Sequence, residues 1–375
     1  MPTRSRRRFL ALVGVSAVAG CTGSASDADP TATAGSGVTE TATAGRTAGT
    51  DGSHTVPTAA ERLVLPMSRT ALRENAMSGG PPKDGIPSID RPTFVGPAEA
   101  DFLDPGDPVF GVVRDGATKA YPQKILVQHE IINDELGGTP VSVTYCPLTG
   151  TVQGFERGET TFGVSGRLIN DNLVMYDRAT EAWWPQMLAT AIPGPWNEDP
   201  AAASLREFRL VWTTWERWRR HNPETRVLST DNEHAKNYAR DPYGAYNPRR
   251  GYYENDRLLF PPLRVDDRFD KKTVVMGTRT ATGAAAFLKE TIRSEKLVPG
   301  SVGDASVLAV YDPRYDTAYV YRTPEGTTYE YDDGAVVAPD GTGHAPDALP
   351  LERVHTFDAM WFAWAGYYPD TNVYA

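Results

Sequence analysis

Three side chains in one short part of the sequence are of the types that carry out chemistry. His129 and Glu130 lie in "KILVQHEIINDELGG", and Cys146 lies in "VSVTYCPLTGTVQGFER". A thiolate held by a neighbouring imidazolium is a nucleophile suited to acyl or thiol transfer, with His129 as base and Glu130 or Asp134 as its orienter. The same thiolate and imidazole are soft ligands that would suit copper or zinc, with Glu130, Asp177 or Asp312 completing the shell. No Cys-x-x-Cys or His-x-x-x-His pair supports a metal site by spacing. The bland alternative is that Cys146 is a small buried hydrophobe.

A second polar group follows in "TFGVSGRLINDNLVMYDRATEAWWPQ". Asn170, Asp171, Asn172, Tyr176, Asp177 and Gln186, with Asn133 and Asp134 upstream, form a candidate ligand-binding set. Runs of Asn and Asp also make turns by bonding their own backbone, and that reading stays open beside the first. A third candidate is a groove for a small molecule, a glycan or a protein segment, lined by Trp183, Trp184, Trp196, Tyr243, Tyr246, Tyr252 and Tyr253.

These residues need elements to position them. Ile125, Leu126 and His129 fall at helical spacing, which predicts a helix with His129 toward the core and Glu130 turned away. Asn133 and Asp134 are expected to begin a turn ending in Gly137 and Gly138. Val141, Val143 and Tyr145 alternate with Ser142 and Thr144, which predicts a strand of a hairpin whose turn is "PLTG".

Sliding the chain on itself by 166 residues aligns this hairpin with "VLAVYDPRYDTAYVYR", starting at Val307, and pairs Gly111 with Gly277 and Leu126 with Ile292. "WERWRRHNPETRV" likewise matches "WFAWAGYYPDTNV", pairing Trp215 with Trp361 and Trp218 with Trp364. The expectation is an α+β fold of two pseudo-symmetric copies of a strand-helix-hairpin-helix unit, packed as one globular domain over 61–375. Copy one covers about 101–228 and copy two about 270–375. Only the first has Cys146, His129 and Glu130, where the second has Asp312, Glu295 and Lys296. The paired tryptophans, three residues apart, are expected to bury one helical face.

The leader predicts where the chain works. "RSRRRFLALVGVSAVAGC" joins a basic run to an apolar stretch too short to span a bilayer. Its order resembles a twin-arginine signal and its end a lipobox, which makes residues 1–21 a lipoprotein signal and Cys21 the lipidated residue. The expected location is the outer face of the cytoplasmic membrane, with the lipid on Cys21 as the membrane contact. Residues 22–60 are rich in Thr, Ala and Gly and read as a disordered tether. Removing the leader takes four of 38 basic residues and leaves 34 against 48 acidic ones, a net charge of −14. That acidity argues against nucleic acid as a partner and suggests a high-salt organism. No phosphate-binding loop, nucleotide fingerprint or Gly-x-Ser-x-Gly elbow is present.

At "HEIINDELGGTPVSVTYCPLTG", "FGVSGRLINDNLVMYDR" and "WFAWAGYYPDTNVY" the chain resembles the domain-of-unknown-function family 3179 of bacteria and archaea, over roughly residues 85–375. The resemblance carries no established activity. Its usual Tyr-Cys-Pro-Leu-Cys-Gly stands here with Thr149 in place of the second cysteine, so a dithiol couple cannot form in this member. His129, Glu130, Asn133, Asp134, Cys146, Tyr176, Asp177 and Gln186 match the pattern of that family.

Overall fold

Two-residue turns set the rhythm of the chain. In the computed structural model, which describes residues 56–375, the leader, Cys21 and most of the tether lie outside the described residues. A short helix, α1 (Arg69–Glu74), is followed by β1 (Pro108–Arg114) and β2 (Ala117–Pro122), which form a hairpin. Asp115 and Gly116 join them with φ of 50° and 79°, the pair of positive values that a type I′ turn requires. Helix α2 (Gln123–His129) follows, then the meander β3 (Ile131–Leu136), β4 (Thr139–Cys146) and β5 (Thr151–Glu156). Next come β6 (Phe162–Ile169), β7 (Asn172–Asp177) and the short β8 (Trp183–Pro185). Asn170 and Asp171 turn β6 into β7, again with two positive φ values, 57° and 59°.

Strand β9 (Val211–Thr214) pairs with β1 and leads into helix α3 (Trp215–His221), whose first turn is capped by the Thr214 hydroxyl. After a long irregular stretch come β10 (Val274–Arg279), β11 (Ala284–Leu288), helix α4 (Lys289–Glu295), β12 (Leu297–Val302), β13 (Ala305–Asp312) and β14 (Thr317–Arg322). Strand β15 (Thr356–Met360) pairs with β10 and feeds the last helix, α5 (Trp361–Tyr367).

The α+β expectation of two strand-helix-hairpin-helix copies does not hold. The described residues are mostly β, with 39% of them in strands and 12% in helix. They build several small sheets, and each α-helix among them is six or seven residues long. The stretch expected to run from a strand into a helix is a hairpin followed by a short helix, because Asp115-Gly116 reverses the chain before a helix begins. Asn133 and Asp134 lie within β3, and the turn is Gly137-Gly138 alone. The hairpin expected around Cys146 is present, with Cys146 paired to Thr151.

Local contacts explain the tryptophan pairs. Gly111 of β1 lies flat under Trp218, where an added Cβ would stand 2.2 Å from the ring. Gly277 of β10 stands in the same relation to Trp364, also 2.2 Å. Each indole donates to a threonine hydroxyl at 3.0 Å, Trp218 to Thr225 and Trp364 to Thr371. Trp215, Trp218, Trp361 and Trp364 are all buried, so these aromatics serve the core. The folded unit already includes the end of the expected tether, since Val56 packs in the largest core cluster and Thr58 bridges Leu205. No helix among the described residues is long and apolar enough to cross a membrane.

Candidate functional site

Cys146 ends β4 inside the largest hydrophobic cluster, 1% exposed, and its thiol donates to the backbone carbonyl of Asp171 at 3.5 Å. Burial, with the nearby Glu130 carboxyl, pushes the thiol up to about 11. A thiol held this way is protonated near neutral pH and lacks the nucleophilicity expected of it. His129 is turned elsewhere. Its Nδ1 donates to the Pro87 carbonyl at 2.7 Å, and its Nε2 accepts from the Tyr238 hydroxyl, also at 2.7 Å. Burial lowers its pKa to about 4. With both ring nitrogens engaged, the imidazole serves neither as the thiol's base nor as its companion metal ligand. Among the described residues, no group of three or more His, Cys, Asp or Glu side chains is arranged to hold a metal ion.

Glu130 differs from the helical expectation. It takes φ of 59° at the end of α2, which swings the chain into β3 and buries the side chain instead of turning it to solvent. Burial raises its pKa to about 8. Asp171 is fully buried, neither of its carboxyl oxygens has a hydrogen-bond partner, and burial raises it to about 7. The Phe260 amide approaches without reaching hydrogen-bond geometry. Cys146 is thus brought together with Glu130 and Asp171, and separated from His129.

The other polar candidates are bound into the fold. Asn133 donates to Asp90 and to the Phe162 carbonyl and accepts from Ser142. Asp134 accepts from Lys119 at 2.8 Å and from the Tyr121 hydroxyl at 2.6 Å. Asn170 donates to the Ala363 carbonyl, and Tyr176 donates to Asp84. Asp177 accepts from Thr180 and from the Trp184 indole, which closes a turn. Gln186 accepts from Asn172 at 2.9 Å and donates to Thr144 at 3.0 Å, and the same Asn172 amide reaches the Thr149 hydroxyl at 3.1 Å. These are satisfied buried groups, as a polar network inside a β core must be.

The irregular stretch between strands Arg226–Leu228 and β10 acts as a strap over the Cys146 turn. Tyr252 donates to the Leu148 carbonyl at 2.7 Å. Asp241 accepts from Gln123 at 2.9 Å and from Tyr253 at 3.0 Å. Lys272 donates to the carbonyls of Tyr252, Asn255 and Arg257, and its ammonium stands 3.4 Å from the centre of the Tyr252 ring. The aromatics expected to line a groove therefore close the core: Trp183, Trp184, Tyr252 and Tyr253 are buried, and Trp196 packs edge-on against Tyr176 and Trp183.

Tyr246 is the member of that set which lines open space. It borders a cleft of about 560 Å³ between the β1/β9 edge and the β10/β15 sheet, whose floor includes Gly150 of the "PLTG" turn and Met360. That volume suits a small organic molecule. Three polar atoms on the cleft's lining residues are buried without a hydrogen-bond partner: Thr213 Oγ1, Asp358 Oδ2 and the Tyr246 hydroxyl. The Tyr145 hydroxyl lies near that of Tyr246 but does not satisfy it. Thr213 and Asp358 are only 5% and 2% exposed. Asp358 Oδ1 accepts from Lys289 at 2.7 Å, so its second oxygen alone is unpaired. Thr213, Asp358, Lys289 and Trp212 carry no motif, and their separation in sequence hides them. Only Tyr246 stood out, by its aromatic neighbours.

Residues 83–371 match the family described as "Protein of unknown function (DUF3179)". No curated protein and no solved structure matches the chain.

Proposed function

The chain belongs to the DUF3179 family, whose description assigns no activity, and from that premise we propose that it is a binding protein which seats a small polar ligand in the cleft beside the Cys146 turn. The observation that carries this reading is that three residues lining one cleft, Thr213, Asp358 and Tyr246, each hold a buried polar atom without a partner. A buried polar group without a partner costs about 1–3 kcal/mol. A ligand that supplies the missing partners recovers that cost as affinity. Trp212 and Tyr246 add aromatic surface beside them. The twin-arginine-like leader and Cys21 place this protein, in our reading, on the outer face of the cytoplasmic membrane, held by a lipid and presenting the cleft to the exterior. A C21S variant tests that placement: it should lose membrane association in fractionation.

The cleft is tested by isothermal titration and thermal unfolding with a defined set of sugars, sugar acids and hydroxy acids. A bound probe at 100 times its dissociation constant stabilises the fold by about 2.7 kcal/mol. The expected result is a probe whose affinity falls about tenfold or more in Asp358→Asn and in Thr213→Val. Absence of binding across the set, or equal affinity in both variants, overturns the reading.

A further inference from the structure

We propose that the cleft's ligand is an organic anion that also carries a hydrogen-bond donor; the inference rests on the cleft being the binding site. The charges that line it do not cancel. Four cations, Arg217, Arg249, Lys289 and Arg293, face three carboxylates, Glu290, Asp316 and Asp358. Five of these seven pair among themselves and together carry −1, so the lining as a whole is +1: Lys289 pairs with Asp358 at 2.7 Å, and Arg293 with Asp316 at 2.9 Å and with Glu290 at 2.6 Å. The two left over are both arginines.

Among the described residues neither Arg217 nor Arg249 pairs with a carboxylate. Arg217 donates Nη1 to the Pro313 carbonyl at 2.7 Å, which anchors one edge of the guanidinium and leaves its charge uncompensated. Arg249 stands directly across a two-stranded hairpin from Tyr246, the residue that carries one of the unsatisfied hydroxyls. On a chain of net charge −10, two uncompensated guanidinia on one concave surface form a local positive field against the general one, which concentrates anions there. Guanidinium is also the group best matched to a planar carboxylate, through paired N–H donors.

The other end of the recognition has the opposite demand. Asp358 Oδ2 is a buried acceptor, and only a donor satisfies it. An anion without a proton to donate, such as chloride or sulfate, would leave it unpaired, whereas a hydroxy acid, a sugar acid or an amino acid offers a carboxylate for the arginines and an O–H or N–H for Asp358. Thr213 and Tyr246 can donate or accept and adapt to either. The chemistry therefore selects molecules that carry both functions.

The experiment compares D-glucuronate, D-galacturonate and L-lactate with the neutral D-glucose, D-galactose and propane-1,2-diol and the cationic D-glucosamine, by isothermal titration at low and high ionic strength. At least one acid should bind tenfold or more tightly than its neutral counterpart, and salt should erode that preference. Arg217→Gln with Arg249→Gln should abolish the preference for the acid while leaving the weak binding of the neutral compound, and Asp358→Asn should weaken both. Equal binding of acid and neutral compound, or preference for glucosamine, overturns the anion inference and leaves the cleft standing. No binding by any of the seven overturns the cleft itself. Thermal unfolding of each variant, with a melting temperature close to the parent, separates lost recognition from lost fold.

Discussion

The thiol of Cys146 bonds to the backbone of Asp171 at 3.5 Å, while the side chain of that same Asp171 is buried with both oxygens unpartnered. The pair puts a protonated thiol next to a carboxyl that burial drives toward neutrality, in the interior of the protein and beneath the strap that carries Tyr252. The thiol is set for packing, and the cleft we propose as the binding site borders Gly150 of the turn that follows Cys146.

Cys146 should resist alkylation. With its pKa pushed up to about 11 and 1% of its surface exposed, reaction with iodoacetamide or a disulfide reagent at pH 8 should be slower than for an unfolded control by about 100-fold or more. Labelling followed by mass spectrometry reads the rate. Rapid native-state modification would show an open, activated thiol.

The strap should control that protection. Asp241→Ala removes the shared acceptor of Gln123 and Tyr253 and should cost about 1–3 kcal/mol by stranding two donors. The same change should accelerate Cys146 labelling, because the strap covers the thiol's turn through the Tyr252–Leu148 bond. Loss of stability with unchanged labelling would separate the strap from the thiol's burial.

Acidity should stabilise this interior. Asp171 rises from 3.8 to about 7 and Glu130 from 4.5 to about 8 in the folded protein. The folded state therefore binds more protons than the unfolded one between about pH 4 and 8, and the contribution of both groups is full below pH 4 and lost as pH rises through 8. Lys272 has the opposite sign above that window, since burial lowers it from 10.5 to about 8 and the unfolded state holds its proton longer. Denaturant unfolding at half-unit steps from pH 4 to 8 should show Asp171→Asn and Glu130→Gln each flattening the fall. A slope unchanged in both variants would contradict it.

Glycine under tryptophan should tolerate no side chain. Gly277→Ala and Gly111→Ala each place a Cβ 2.2 Å from an indole ring, and overpacking of this kind costs about 1–3 kcal/mol. Chemical denaturation reads it directly. A neutral result at either position would mean that the ring moves aside.

Much of the frame was legible in the sequence because local chemistry enforces it. The alternation from Val141 to Tyr145 with "PLTG" after it could form little but a strand and turn, and the tryptophans three apart could bury only one face of a helix. Asp115-Gly116 is a hairpin signal of the same local kind, since the two positive φ values it takes make a hairpin before any helix. The candidate site was not legible in this way. His129 and Cys146 are 17 positions apart, yet Glu130 at φ 59° turns the chain between them, and the imidazole bonds to Pro87 and Tyr238. Asp358 meets Lys289 across 69 residues, and Thr213, Tyr246 and Asp358 come together only where separate sheets meet. Spacing along a chain determines turns, faces and caps, which depend on neighbours. Which polar atoms are left unpaired in a cleft depends on every group that packed around them, and that only the tertiary structure decided.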